Sequence, residues 1–149
     1  MGRGRWRHLP QSSRPKRKCA VTAEDKTIQP DAWETPQKVL VIMAHPDDPE
    51  IFCGATLARW AANGHTIHYC MLTCGDKGAP NGEIHPAELC SERVVEQRAA
   101  AAVIGAQQVR FLGYPDGYLV PDLDVLREVV RVIREEKPDV VMTVDPAML

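Results

Sequence analysis

Two side chains in this sequence stand where a metal ion could be held. His45 and Asp48 are three residues apart around the proline-stiffened turn His45-Pro46-Asp47-Asp48, and both can aim at one point. An imidazole nitrogen with a carboxylate oxygen suits zinc or another borderline divalent ion. Asp47 lies between them and would be expected to point elsewhere and stay free. A free carboxylate beside a metal-activated water is the general base that a metal-dependent hydrolase requires. A helix beginning near Asp48 would turn its positive end toward developing anionic charge. The same residues admit a plainer reading, with His45 in a turn, Asp48 as an N-cap and Asp47 as first-turn charge. Spacing alone leaves both open.

These residues need a scaffold, and the punctuation of the chain from Lys38 onward supplies one. Lys38–Met43 (KVLVIM) is a continuous apolar run, as expected of a strand buried on both faces of a parallel sheet. A helix over 50–63 follows, with Asp48 at its cap, Pro49 at its first position, Gly64 past its end, and Ile51, Ala55, Ala58 and Ala62 as its apolar face. Ile67–Thr73 reads as a strand, 86–104 as a helix closed by Gly105, and Val109–Leu112 as a third strand. Asp122 caps a third helix with Leu123, Leu126, Val130 and Ile133 on one face, and Asp139–Val144 is a fourth strand. The alternation predicts an α/β fold, a three-layer Rossmann-like parallel sheet flanked by helices, with right-handed crossovers.

In such sheets ligands bind outside the carboxyl ends of the strands. The four segments there are 44–50 (AHPDDPE), 74–78 (CGDKG), 113–117 (GYPDG) and Asp145-Pro146, and each carries aspartate. Turn formation alone explains any one of them. Four on one edge are what an active site on this sheet requires.

Composition narrows the classes. The chain has 149 residues with 18 basic and 20 acidic side chains. Seven of the basic ones (Arg3, Arg5, Arg7, Arg14, Lys16, Arg17, Lys18) fall in the first 18 residues, which hold no acid, leaving 11 basic against 20 acidic groups beyond them. An acidic body argues against a nucleic-acid-binding domain. Residues 1–37 carry four prolines and no periodicity, so a disordered basic arm is expected, followed by one domain over 38–149. No apolar run reaches the 18 or so residues of a membrane span, and no secretory signal is evident. The five cysteines form no CxxC pair and are expected to be reduced, in a cytoplasmic protein.

The segment AHPDDPE, directly after an apolar strand and before GAT at 54–56, resembles the signature of the PIG-L/LmbE-like zinc-dependent N-deacetylases. TCGDKG at 73–78, ERVVEQRAAAAVIG at 92–105, LGYPDG at 112–117 and PDVVMTVDP at 138–146 extend the resemblance over the whole body, in order. It implies zinc as cofactor, with His45 and Asp48 as ligands and Asp47 as the general base that deprotonates the attacking water. The implied substrate is a small-molecule N-acetylated amino-sugar conjugate, such as an N-acetylglucosamine glycan or a thiol-sugar precursor. Arg93 and Asp116 match blocks that contribute sugar contacts; for Arg93 a helix-surface pair with Glu96 is the alternative.

The family's third zinc ligand is a histidine in an HPDH-like block beyond the fourth strand. Here Leu149 follows Asp145 by four residues, so the expectation is the N-terminal part of such a domain, truncated after the fourth strand. His85 lies on the correct side to substitute, whereas His65 and His68 flank the opposite end of the second strand. Two other readings compete: a Rossmann-like module for a nucleotide or phosphorylated ligand, and an inactive fragment. The first would show GxGxxG or GxxxxGK[ST] after the opening strand, and the chain has His-Pro-Asp-Asp there instead.

Overall fold

The computed structural model describes residues 33–79 and 83–145. The expected basic arm up to residue 32 lies outside the described residues. The body's contacts begin inside the segment expected to be arm: the centre of the Trp33 ring sits 4.8 Å from that of Trp60 and 5.0 Å from that of His65, the latter pair nearly perpendicular.

The elements are β1 (Lys38–Met43), α1 (Asp48–Ala62), β2 (Thr66–Thr73), α2 (Pro86–Ile104), β3 (Gln108–Tyr114), α3 (Leu123–Glu136) and β4 (Val140–Met142). The sheet order is β3-β2-β1-β4 and every pairing is parallel. From β1 the chain winds outward to β2 and β3, and then α3 carries it back to place β4 on the other side of β1. That reversal makes the carboxyl end of β1 the switch point of the sheet, and His45 follows it directly.

Both faces of β1 are buried, as its continuous apolar sequence requires. Val39, Val41 and Met43 pack with Leu57 and Trp60 of α1, Tyr69 and Met71 of β2, and Ala101 of α2. Leu40 and Ile42 face the other way, onto Cys70 and Val132 of α3. The three-layer parallel α/β architecture expected from the sequence is therefore present.

Three expectations about the helices and β4 need correction. α1 buries Pro49, Gly54, Leu57 and Trp60, whereas Ile51 is 71% exposed. The alanine stripe is periodic, but the larger Leu57 and Trp60 remove more apolar area from water and set the helix's rotation. On α3, Leu123 and Leu126 are exposed, and Val132, flanked by Val129 and Ile133, makes the contact with the sheet. β4 is shorter than the expected Asp139–Val144 and pairs over three residues, Val140–Met142, against Val39–Val41 of β1.

The cysteines also depart from expectation. Cys74, just past β2, and Cys90, on α2, form a disulfide with their Cα atoms 5.1 Å apart. Packing of α2 brings together residues that are 16 apart in sequence, which spacing alone does not reveal. Cys53 and Cys70 remain thiols, each pushed up to about 11, chiefly by burial.

His65 and His68 are structural. His65 is buried, and its Nδ1 accepts the Gln37 N–H at 2.9 Å. His68 Nδ1 lies 2.8 Å from Glu136 Oε2, which also takes Lys38 Nζ at 2.8 Å. Glu136 thus ties the end of α3 to β1 and β2 at the edge of the sheet away from His45.

Candidate active site

The strand ends are locked before any functional side chain is placed. Thr73 donates to the Ala44 carbonyl through both its backbone N–H and its Oγ1, each at 2.9 Å. The segments leaving β1 and β2 therefore run side by side.

The turn after β1 differs from the sequence reading by one residue. Asp47, not Asp48, occupies the capping position of α1, with φ 82° and ψ −28°, and its carboxylate makes no capping hydrogen bond. A left-handed backbone at a non-glycine residue carries a cost of about 1–2 kcal/mol. Asp48 becomes the first helical residue, and its carboxylate turns back to accept the His45 N–H at 2.8 Å. Asp47 is thereby left outside the turn, more than half exposed, with its carboxylate uncommitted to the helix.

Both ring nitrogens of His45 face a carboxylate. Nε2 lies 2.8 Å from Asp116 Oδ1, and Nδ1 lies 3.7 Å from Asp48 Oδ2. A carboxylate only accepts, so Nε2 carries the proton, and in the neutral ring Nδ1 presents a lone pair on the Asp48 side. Asp116 is fixed in turn, because its N–H donates to Asp76 Oδ1 at 3.0 Å. The segments after β1, β2 and β3 are joined through His45, Asp76 and Asp116.

Arg93 reaches this edge from α2. Its guanidinium donates to the Gly75 carbonyl at 3.0 Å, the Pro46 carbonyl at 3.0 Å and Asp47 Oδ2 at 3.2 Å. It clamps two turns and one carboxylate; the Glu96 alternative is not among its contacts. A cavity of about 260 Å³ opens beside it, lined by Pro46, Asp47, Glu50, Arg93, Glu96 and Gln97.

The residues that sequence reasoning missed are Asp76, Glu50 and Gln97. Asp76 was visible as one of four edge aspartates; Gln97 carried no signal, because an amide inside a helix is ordinary. His85 serves another purpose: its Nδ1 accepts the Ala87 N–H and caps α2.

The fit of a zinc ion can be judged from the donors. The 3.7 Å between His45 Nδ1 and Asp48 Oδ2 is too long for a hydrogen bond. It is near the roughly 3.4 Å that separates two ligands of a tetrahedral zinc with bonds of about 2.0–2.1 Å. The bond from Nε2 to Asp116 is the outer-shell carboxylate contact that zinc-ligating imidazoles commonly make. The pair fits. Among the described residues no third His, Cys, Asp or Glu joins it to complete a ligand set.

A family model described as PIG-L, GlcNAc-PI de-N-acetylase, matches residues 40–148. The chain belongs to the PIG-L family. It is 36% identical over 110 residues to the diacetylchitobiose deacetylase of Thermococcus kodakarensis, an alignment covering 74% of this chain and 41% of that enzyme. Among solved structures, N,N'-diacetylchitobiose deacetylase from Pyrococcus horikoshii superposes with a TM-score of 0.69 at 30% identity, over 70% of this chain and 39% of the other. GalB, the 4-carboxy-2-hydroxymuconate hydratase of Pseudomonas putida, gives 0.64 at 30% identity, over 70% and 45%. The chain thus spans about two fifths of the length of these relatives. Among the described residues no helix is long and apolar enough to cross a membrane.

Proposed function

We propose that this chain serves the zinc-dependent hydrolysis of the acetamide of an N-acetylglucosamine conjugate. The observation that carries the reading is the His45 ring, whose Nδ1 faces Asp48 while Nε2 is committed to Asp116. His45 and Asp48 are the residues that would hold zinc. When bound there, zinc supplies Lewis acidity to the amide carbonyl and acidifies water.

The protein's own groups do the rest. Asp47 takes the proton of the attacking water on the carboxylate oxygen that Arg93 does not hold, and carries it toward the leaving nitrogen. Arg93 keeps the other oxygen fixed at the rim of the cavity. The N-terminus of α1, at Asp48, turns its dipole toward the oxyanion. Asp116 orients His45 through one oxygen and offers the other to a sugar hydroxyl, and Arg93 borders the cavity beside Asp47.

Membership of a family that includes chitobiose and GlcNAc-PI deacetylases supports the substrate class. The absence of a phosphate-binding glycine fingerprint after β1 disfavours the nucleotide-binding reading. The cytoplasmic location expected from the sequence is part of this proposal, and the state of the Cys74–Cys90 pair in cells tests it.

The test is acetate release from N,N'-diacetylchitobiose in the presence of zinc. Release that falls on the order of 10²–10⁴-fold in Asp47→Asn, with zinc retained, is the expected result. Water addition to an unsaturated tricarboxylate such as 4-carboxy-2-hydroxymuconate, without acetate release, would point instead to the chemistry of the GalB hydratase. Unchanged release in the variant would remove Asp47 from the chemistry.

A further inference from the structure

We infer that Gln97 is a positioning residue that holds Asp47 in its left-handed conformation, an inference whose catalytic meaning rests on the reading of Asp47 as general base. Gln97 lies on α2, 50 residues from Asp47, and only 2% of it is exposed. Its side chain makes two opposed contacts. Oε1 accepts the Asp47 N–H at 2.6 Å, and Nε2 donates to both Glu50 oxygens at 3.1 Å each.

The geometry fixes which way the amide faces. A flipped Gln97 would set its oxygen against the Glu50 carboxylate and its NH₂ against an N–H, leaving two buried polar groups unpaired. Glu50 therefore orients Gln97, and Gln97 accepts the backbone N–H of the left-handed residue. Without that acceptor the Asp47 N–H would lie beside a buried side chain with no partner. The cheapest relief is rotation of Asp47 toward an ordinary helical φ. That rotation would swing its carboxylate away from Arg93 and out of the cavity that the two residues share.

The capping position of an α-helix does not by itself need this arrangement. Asp122 caps α3 with ordinary extended geometry, its carboxylate accepting from the Asp124 and Val125 N–H groups. Asp47 caps nothing with its side chain, and the α2 contacts are what keep it so. We read Gln97 and Glu50 as the support that frees the Asp47 carboxylate for use at the site.

The experiment compares the wild-type 149-residue chain with Gln97→Leu, Gln97→Glu and the swapped double variant Glu50→Gln/Gln97→Glu. The readouts are the Asp47 amide exchange rate and its HN–Hα coupling by NMR. Gln97→Leu is expected to speed exchange on the order of ten-fold and move the coupling toward a helical value. Gln97→Glu sets two carboxylates against each other and should do the same. The double variant exchanges donor and acceptor between residues 50 and 97, keeps an oxygen of residue 97 as acceptor for the Asp47 N–H, and should restore the wild-type signature, which a merely space-filling role would not. A wild-type Asp47 amide that exchanges as fast as an unprotected one overturns the inference even if Gln97→Leu does not fold. So does an unchanged coupling in a folded Gln97→Leu chain. Failure of the base reading would appear separately, as acetate release unaffected by Asp47→Asn.

Discussion

His45 and Asp116 are 71 residues apart in sequence and 2.8 Å apart in space, Nε2 to Oδ1. The contact decides which nitrogen of the imidazole is available. In the neutral ring the one facing Asp48 is left with its lone pair.

Replacing Asp116 by Asn tests that relationship. The amide can donate to Nε2 and so invert the ring's tautomer, placing the proton on the nitrogen that zinc would need. Zinc affinity is expected to fall about 10–100-fold, the usual effect of losing such a contact, with the fold intact. Competition with a chromogenic chelator measures the affinity, and nitrogen chemical shifts of His45 report the tautomer.

Gly75 is expected to resist substitution for a reason that involves Arg93. Its φ is +67°, and a Cβ there would lie 2.0 Å from an Arg93 guanidinium nitrogen that is itself bonded to the Gly75 carbonyl. Gly113 provides the control, with φ +76° and nothing within 4 Å of its would-be Cβ. Gly113→Ala should cost about 1 kcal/mol from backbone strain alone. Gly75→Ala should cost about 1–3 kcal/mol more, because the clamp loses hydrogen bonds. Urea midpoints of the two variants give the comparison.

Stability should depend on pH through Glu136. Lys38 and, after it, His68 hold its carboxyl below the usual range against the opposing effect of burial. A depressed folded-state value contributes stability that is fully present above the unfolded value of about 4.3 and is lost as pH falls through the lower folded one. Glu136→Gln is expected to lower stability at pH 7 and to flatten its decline below about pH 4.5. Urea midpoints between pH 3 and pH 7 measure both effects.

The Cys74–Cys90 bond spans the segment that carries Gly75 and Asp76, so reducing it should loosen the turn that Arg93 clamps. Loop-closure entropy for a separation of 16 residues sets the loss at up to about 3 kcal/mol. Thermal unfolding with and without dithiothreitol, and in Cys90→Ser, gives the value. Cys53 and Cys70, their thiolates suppressed by burial, are expected to alkylate slowly at pH 8 while the chain is folded.

The amino-acid sequence alone determined the layered parallel sheet. β1 is apolar without interruption, and Gly105 and Asp122 mark helix ends by local chemistry that needs no partner. It also determined the family, and it marked His45, Asp47 and Asp48 as the residues to watch. Tertiary structure decided what these residues do to one another. The rotation of α1 followed the volume of Leu57 and Trp60 rather than the alanine periodicity. The disulfide followed the docking of α2, and the left-handed turn at Asp47 followed an acceptor supplied 50 residues later by Gln97. Each is a contact between distant segments. Local propensity fixes where elements begin and end, whereas which side chains meet depends on how the packed layers exclude water, and no short window of sequence contains that.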